Sequence, residues 1–361
     1  MNPCLLPLLL VLAVTGCTHG TLARQLVRAP NRQSAPPFKA GAMTAGFTAV
    51  PVPGREPGVV LDAQVIEPGD WRLAYACTVE RTKRALTATI QMSYDKPGAF
   101  TAAPKGTVIL LHGYRQQKEQ MLPWALSLAQ RGYRCVLVDL RGHGASTGEW
   151  IGFGAFEVED MRSVLDALTA RRLVAGKVGV MGVSLGASVG IQWAGADPRV
   201  VTVVALEPFA DPRSAIDTMI HAFDPFRRRL WWASEGTIRK AIAEAPGKAG
   251  FTWADVDVPK AAAAVSGPIL FIHGADDAMV PPEHSRRLSA RAPAGSRLLL
   301  LPGEDHITLP LRLQPTDGIV QEWFDRNLAE NPPAQATWDQ EAVRSMGRST
   351  APLPDGAPSG Q

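Results

Sequence analysis

The stretch VGVMGVSLGASVG, residues 178–190, places four glycines and two serines in thirteen positions of an otherwise apolar run. It is either a tight turn that merely needs small residues or a turn that holds a serine out as a nucleophile. Its centre, Gly182-Val183-Ser184-Leu185-Gly186, matches G-x-S-x-G, with the strand-like KVGVMGV before it and a small-residue helical segment after it. In that setting the glycines allow a sharp strand-to-helix turn without a Cβ clash, which lifts the serine oxygen above the sheet edge at a helix N-terminus. Ser188, one helical turn further on, reads as a packing residue facing the sheet.

A serine hydroxyl is a poor nucleophile near neutral pH. It needs a histidine to take its proton and a carboxylate to hold that imidazole in the right tautomer. After such a turn the partners are expected in the order serine, acid, histidine, each at the C-terminal end of a strand. PILFIHG, residues 268–274, is followed by Asp276 and Asp277, and SRLLLLPG, residues 296–303, is followed by Glu304, Asp305 and His306. Of the seven histidines, only His306 is both late enough and at a strand exit. His112 and His273 precede glycines at strand ends and read as packed imidazoles, and His143 lies in a glycine-rich loop. His221 and His284 fall in helical segments, exposed or lining the site, and His19 lies near the N-terminus. Acyl transfer also needs donors aimed at the developing oxyanion. The backbone N–H groups of Leu185 and of Tyr114, in the loop after TVILLHGY, are the candidates, with Gly113 allowing the turn and the Tyr114 ring assigned to packing at the mouth.

Outward from this centre the pattern is strand, turn, helix, repeated. Apolar runs rich in β-branched residues occupy residues 107–111, 134–140, 177–183, 200–206, 268–273 and 296–301. Segments of helical period cover 118–130, 157–171, 282–291 and 317–328. Apolar strands alternating with helices predict an α/β fold, a mostly parallel twisted sheet with helices on both faces. The segments 71–80 and 86–94 alternate more and lack a helix between them, so they are expected to open the sheet as antiparallel strands. From Glu207 to about Val265 the connection is far longer than usual for such folds and helical in character, which predicts a small helical cap insertion. Within it Trp231, Trp232 and Phe223, with Phe226 and Trp253, are candidates to line a substrate pocket; the plainer alternative is that they glue the cap to the core. Arg227 to Arg229 read as a solvated helix face. Glu157, Glu159 and Asp160 open a helix, where negative charge complements the dipole.

The 361 residues with net charge +3, from 37 basic and 34 acidic side chains, are too balanced for a nucleic-acid surface. A small-molecule ester or acyl substrate is the expected partner. No C-x-x-C pair and no phosphate loop occurs, and neither metal nor cofactor is called for. Cys135 sits in a strand and reads as a small buried hydrophobe; a bridge to Cys77 is what an oxidising compartment would permit. Residues 18–57, rich in Pro, Ala, Thr, Gly and Arg, read as a flexible tether, 58–330 as the folded body, and 331–361 as a disordered tail.

Residues 1–17 carry an apolar run, Leu5 to Val14, too short to cross a bilayer and of the length of a secretory h-region. Val14-Thr15-Gly16-Cys17 resembles the lipobox of bacterial lipoproteins, which implies export and lipidation of Cys17, hence a membrane anchor in the cell envelope. Thr18 in place of Asp leans, by the same resemblance, toward the outer membrane. A secreted or periplasmic soluble protein is the alternative.

Residues 71–330 resemble the α/β-hydrolases of the serine aminopeptidase-like or lysophospholipase-like group. The resemblance rests on LLHGY, GYRCVLVDLRGHGAST, GVMGVSLGAS, ILFIHGADDAMVP and LPGEDH. The pattern G-x-x-D-x-x-V-P, counted from Gly274, implies Asp277 as the triad acid and Asp276 as a turn residue. Some relatives place the acid where Glu207 stands; here Glu207 is assigned to structure. By resemblance, Asp139-Leu140-Arg141-Gly142-His143-Gly144 with Ser146 is a loop that buttresses the floor of the site. The expected activity is metal-free serine hydrolysis of carboxylic esters through an acyl-enzyme. A peptidase or amidase is the alternative, and a non-catalytic envelope binding protein that keeps the fold is the second.

Overall fold

The computed structural model describes residues 19–30, 47–81, 86–95, 102–222, 230–231 and 233–330. Its centre is an eight-stranded sheet in the order β1-β2-β6-β5-β7-β8-β9-β10. The strands β5 (Thr107–Leu111), β6 (Arg134–Val138), β7 (Val178–Val183), β8 (Val200–Leu206), β9 (Ile269–Gly274) and β10 (Arg297–Leu301) run parallel. They coincide with the six apolar runs to within two residues at either end. Because side chains alternate across a strand, each apolar run feeds two cores at once. Ile109, Leu111, Val136, Val138, Val180 and Phe271 face one core. Val108, Leu110, Cys135, Leu137, Met181 and Ile272 face the other. Helices cover both faces, so no strand residue between β5 and β9 needs to be polar for solvent.

The opening of the sheet differs from expectation. It is made by β1 (Thr48–Pro53) and β2 (Val60–Ile66), an antiparallel pair that joins the parallel set through β2 and β6. The segments expected to open it, β3 (Arg72–Arg81) and β4 (Leu86–Asp95), instead pair with one another as a separate two-stranded sheet. That hairpin packs through Leu73, Tyr75, Met92 and Tyr94 on one core, and the Tyr75 hydroxyl donates to the Leu311 carbonyl at 2.7 Å. The alternating pattern identified the strands; it carried no information about their partner.

The flexible-tether reading of residues 18–57 is corrected at two places. Thr48–Pro53 is the edge strand just described, and His19–Val27 is a helix, α1, with Leu22, Ala23 and Val27 buried. Beyond α1 the chain is tied down by backbone bonds, Ile151 N–H to the Val27 carbonyl at 2.9 Å and Ala29 N–H to the Glu149 carbonyl at 2.8 Å. Cys17, the candidate lipidation site, and the 331–361 tail lie outside the described residues.

Between β8 and β9 run the helices Pro212–Ala222, Glu235–Ala249 and Val258–Ala264. The last of these packs on the helix Leu185–Ala196 so closely that a Cβ on Gly195 would stand 2.4 Å from the Ala261 carbonyl oxygen, so it belongs to the layer flanking the sheet. The helix Glu235–Ala249 packs against α1 and Pro212–Ala222. Cys77 and Cys135 are both free, one on β3 and the other buried on β6.

Candidate active site

Ser184 stands between β7 and the helix Leu185–Ala196 with φ 51° and ψ −110°, a backbone conformation unusual for a residue with a side chain. The two glycines of G-x-S-x-G are required by contact, not only by the turn. A Cβ on Gly182 would lie 2.4 Å from the Gly186 carbonyl, and one on Gly186 would lie 2.4 Å from the Leu111 carbonyl oxygen. The turn therefore holds only if both positions lack a side chain. Ser188 is buried, donating to the Phe209 carbonyl and accepting its N–H, as expected for a packing residue.

The loops after β9 and β10 bring the acid and the imidazole to this serine. His306 Nε2 lies 3.0 Å from Ser184 Oγ, and His306 Nδ1 lies 2.7 Å from Asp277 Oδ2. The Asp277 Oδ1 accepts the N–H groups of Met279 at 2.9 Å and Val280 at 2.8 Å. His273 adds a third support: its Nε2–H donates to the Val280 carbonyl at 2.7 Å and also lies 3.2 Å from Asp277 Oδ2, while its Nδ1 meets the Ser285 hydroxyl at 2.7 Å. Burial alone would raise the Asp277 carboxyl, but hydrogen bonds from His273 and His306, the His306 charge and the Val280 N–H hold it well below the usual carboxylate range. Asp277 is thus an anion in the folded protein, and Asp276, in the adjoining turn, is exposed.

Glu207, at the end of β8, is fully buried with φ 53°, and its Oε2 is 3.5 Å from His306 Nδ1. Neither of its oxygens has a hydrogen-bond partner of ordinary geometry among the described residues. Burial, then the Asp277 charge, pushes this carboxyl well above the usual range against a smaller pull from the Gly274 N–H. Glu207, Asp277 and His306 bring three potential metal-ligating atoms within 4.8 Å of one another. A metal there would need the Nδ1 lone pair, whereas orientation of the imidazole toward Ser184 uses Nδ1 as a donor to Asp277.

Leu185 is the first residue of its helix, so its N–H is one of the donors that a helix leaves unpaired. Across from it the β5 loop is shaped by Gln116, whose side chain accepts the Gly113 N–H at 2.8 Å and whose own N–H returns to the Gly113 carbonyl at 3.2 Å. Leu185 and Tyr114 both line the cavity that opens beside Ser184. The Tyr114 ring stands edge-on to His143 at 6.1 Å.

The loop from Asp139 to Ser146 lies beneath this site as a buried polar network. Asp139 accepts the Lys118 N–H at 2.7 Å, the Lys118 ammonium at 2.9 Å and the Ala145 N–H at 2.9 Å. Arg141, also buried, makes a forked pair with Asp160 at 2.5 and 3.0 Å. Glu157 accepts the N–H groups of Gly152 and Gly154. The acidic helix start therefore does more than complement a dipole, since Glu157 and Asp160 both hold loops that the sequence pattern did not connect to them.

His112 accepts the Leu140 N–H at Nε2, 3.0 Å, and burial lowers its pKa to about 4. His143 and His284 are likewise held low by burial, to about 3 and about 4. His284 was expected to be exposed or to line the site; it is buried and accepts the Ala210 N–H at 3.1 Å.

The cavity beside Ser184 encloses about 490 Å³. Its lining corrects the aromatic candidates of the cap. Trp231 is 81% exposed and does not line it, Trp253 packs on Phe153 and Phe251, and Phe223 and Trp232 lie outside the described residues. Aliphatic side chains from Pro212–Ala222 and from α1 line it instead, among them Ile216, Met219, Leu22 and Leu26. The overlooked signal is in HGTLARQLV, where Leu22, Ala23, Leu26 and Val27 recur at helical spacing within the polar N-terminal stretch.

The alpha/beta hydrolase family model matches residues 108–337. This chain belongs to the alpha/beta hydrolase family. Among curated proteins, this family member is similar to an uncharacterised Bacillus subtilis protein, YqkD, at 24% identity over 62% of this chain and 73% of the relative. It also resembles the Arabidopsis thaliana alpha/beta hydrolase domain-containing protein WAV2, at 31% identity over 44% of this chain and 48% of the relative. Among solved structures, the Pyrococcus furiosus esterase Pf2001 superposes with a TM-score of 0.60 at 19% identity, covering 83% of this chain and 99% of that one. That likeness supports the alpha/beta hydrolase fold. The family match starts inside β5, so α1 and β1 to β4 lie upstream of it.

Proposed function

We propose that this alpha/beta hydrolase cleaves carboxylic esters through a serine acyl-enzyme. The observation that carries the reading is the line of hydrogen bonds from Ser184 Oγ through His306 to Asp277, at 3.0 and 2.7 Å, at the wall of a largely aliphatic cavity. In the first half-reaction Ser184 Oγ attacks the carbonyl carbon and its proton passes to His306 Nε2. The tetrahedral oxyanion is met by the N–H groups of Leu185 and Tyr114. The C–O bond breaks, the alcohol leaves with the proton from His306, and Ser184 carries the acyl group. Water then repeats the sequence, giving the acid and restoring the hydroxyl. Asp277 keeps Nδ1 protonated throughout, so Nε2 presents its lone pair to the serine.

Ester over amide is the choice because most of the wall is apolar, its polar side chains being those of Gln25, Arg28, Tyr114, Arg115 and Ser184, so an extended peptide backbone would leave many of its N–H and C=O groups unpaired. The test is Ser184→Ala, assayed with p-nitrophenyl esters beside peptide p-nitroanilides and with a fluorophosphonate probe. Loss of both ester turnover and labelling is expected, and undiminished turnover in the variant refutes the proposal. Faster wild-type turnover of the anilides makes the protein an amidase.

We further propose that the enzyme is exported and anchored in the cell envelope through a lipid on Cys17, on the support of the lipobox-like Val14–Cys17 stretch. Cys17→Ser is expected to move the protein out of the membrane fraction. Unchanged partition removes the anchor from the account.

A further inference from the structure

We propose that the segment His19–Pro30, upstream of the first strand, is a built wall of the substrate site, and that the site takes the acyl chain of an aliphatic ester. The inference rests on the serine hydrolase reading above and extends it to substrate class.

Three observations carry it. First, the wall is fixed. Leu22 and Val27 are 5% and 0% exposed, and Arg24 pairs with Glu149 at 3.2 Å while lying over the Trp150 ring at 5.1 Å. His19 reaches Glu244 at 3.4 Å, and the backbone of residues 27–29 is bonded on both sides of Trp150. A segment held by this many independent contacts keeps one position relative to Ser184. Second, most of the lining is apolar: Leu22 and Leu26 from α1 face the same cavity as Ile216, Met219 and Ile220, and Gln25, Arg28 and Arg115 are its polar side chains beside Ser184 and Tyr114. The apolar stretch of wall rewards methylene groups.

Third, the direction of the cavity separates the two halves of the ester. The leaving alcohol must be within reach of His306, which protonates it. The cavity is lined by Ser184, Leu185 and Tyr114, whereas His306 and Asp277 are not among its lining residues. Its other walls come from α1, from Phe209 and from Pro212–Ala222, so it extends on the side of the nucleophile and oxyanion donors, and an ester whose carbonyl sits at Ser184 directs its acyl chain into it.

Each methylene that enters should raise kcat/KM about fourfold, the equivalent of burying one CH₂. The experiment uses the full chain and two substrate series: p-nitrophenyl esters of graded acyl length, and acetates of graded alcohols. The expected result is a steep rise in the acyl series up to the length that fills the cavity, and a shallow alcohol series. Leu26→Trp on α1 and Met219→Trp opposite should each lower the ratio of long-chain to acetate kcat/KM at least tenfold. Leu26→Ala should move the optimum to longer chains, which keeps the test decisive if a tryptophan variant fails to fold. Thr21→Trp, on the exposed side of the same helix, should leave the profile unchanged. Wild-type ratios in Leu26→Trp and Leu26→Ala overturn the wall, and a steep alcohol series with a flat acyl series overturns the direction. Either outcome leaves the serine reading standing, because that reading fails only if Ser184→Ala keeps its activity.

Discussion

Glu207 Oε2 lies 3.5 Å from Nδ1 of His306, the nitrogen that Asp277 Oδ2 holds at 2.7 Å. Two carboxyls thus face one imidazole N–H, and their surroundings divide the roles. Asp277 is supplied with donors from His273, Met279 and Val280; Glu207 has no donor of ordinary geometry among the described residues, and burial beside that anion favours its protonated form. Asp277→Asn is expected to lower kcat for p-nitrophenyl acetate by about 10⁴-fold, the usual result of presenting a serine with the wrong histidine tautomer. Glu207→Gln, which replaces one neutral group by another of similar shape, should cost less than about tenfold. Steady-state kinetics on the two variants decide the matter; a reversed order makes Glu207 the orienting acid.

The same burial has a signature in stability against pH. Glu207 has a raised pKa in the folded protein, so above about pH 4.5 the unfolded chain binds fewer protons and stability falls as pH rises toward the folded value. Glu207→Gln removes this loss, and its melting temperature relative to wild type should climb as pH rises above about 4.5. The buried histidines act in the opposite direction. His112 and His284, with folded pKa values of about 4, stay neutral while the unfolded chain takes up protons below about pH 6.5. Each should steepen the fall in unfolding free energy on acidification by up to about 1.4 kcal/mol per pH unit. Urea titrations across that range measure the slope, and a flat profile contradicts the buried, neutral assignment.

The glycines offer a matched pair. A Cβ on Gly186 would press on the Leu111 and His112 carbonyls at 2.4 and 2.5 Å, both backbone atoms that cannot swing aside. Gly186→Ala is expected to destabilise the fold by roughly 3 kcal/mol or more and to displace the loop carrying Tyr114. Gly247, inside the helix Glu235–Ala249, has no atom within 4 Å of the corresponding position. Gly247→Ala should add about 0.5–1 kcal/mol through helix propensity alone. Thermal melts of the two proteins are the check, and equal effects would show that contact at the elbow is not what selects glycine there.

The sequence made the candidate site legible because the proposed chemistry restricts it so strongly. A nucleophilic serine needs a histidine and an acid in chain order at strand ends, and Ser184, Asp277 and His306 are the residues the structure brings together. The five parallel strands β5 to β9 were legible because both of their faces are buried, and β10, an edge strand with only Leu299 buried, because its residues 298–301 are all leucine. β1 was hidden by Pro51 and Pro53, which argue against a strand everywhere except at an edge. α1 was hidden by its nine-residue length and by flanks of Pro, Arg and Thr. The cavity walls were illegible for a further reason: aromatic content drew attention to Trp231, but whether a side chain faces a cavity or solvent depends on which elements meet. In this case they are the N-terminal helix and a helix 190 positions downstream.

The prolines that obscured β1 also bear on how this molecule behaves at high concentration. β1 is the outermost strand of the sheet, and two of its six residues have no N–H to offer. An unpaired strand edge is normally a template on which a second chain can continue the ladder. Here that ladder is interrupted at alternate positions, so the β1 margin of the sheet is a poor template for strand addition by virtue of its own sequence.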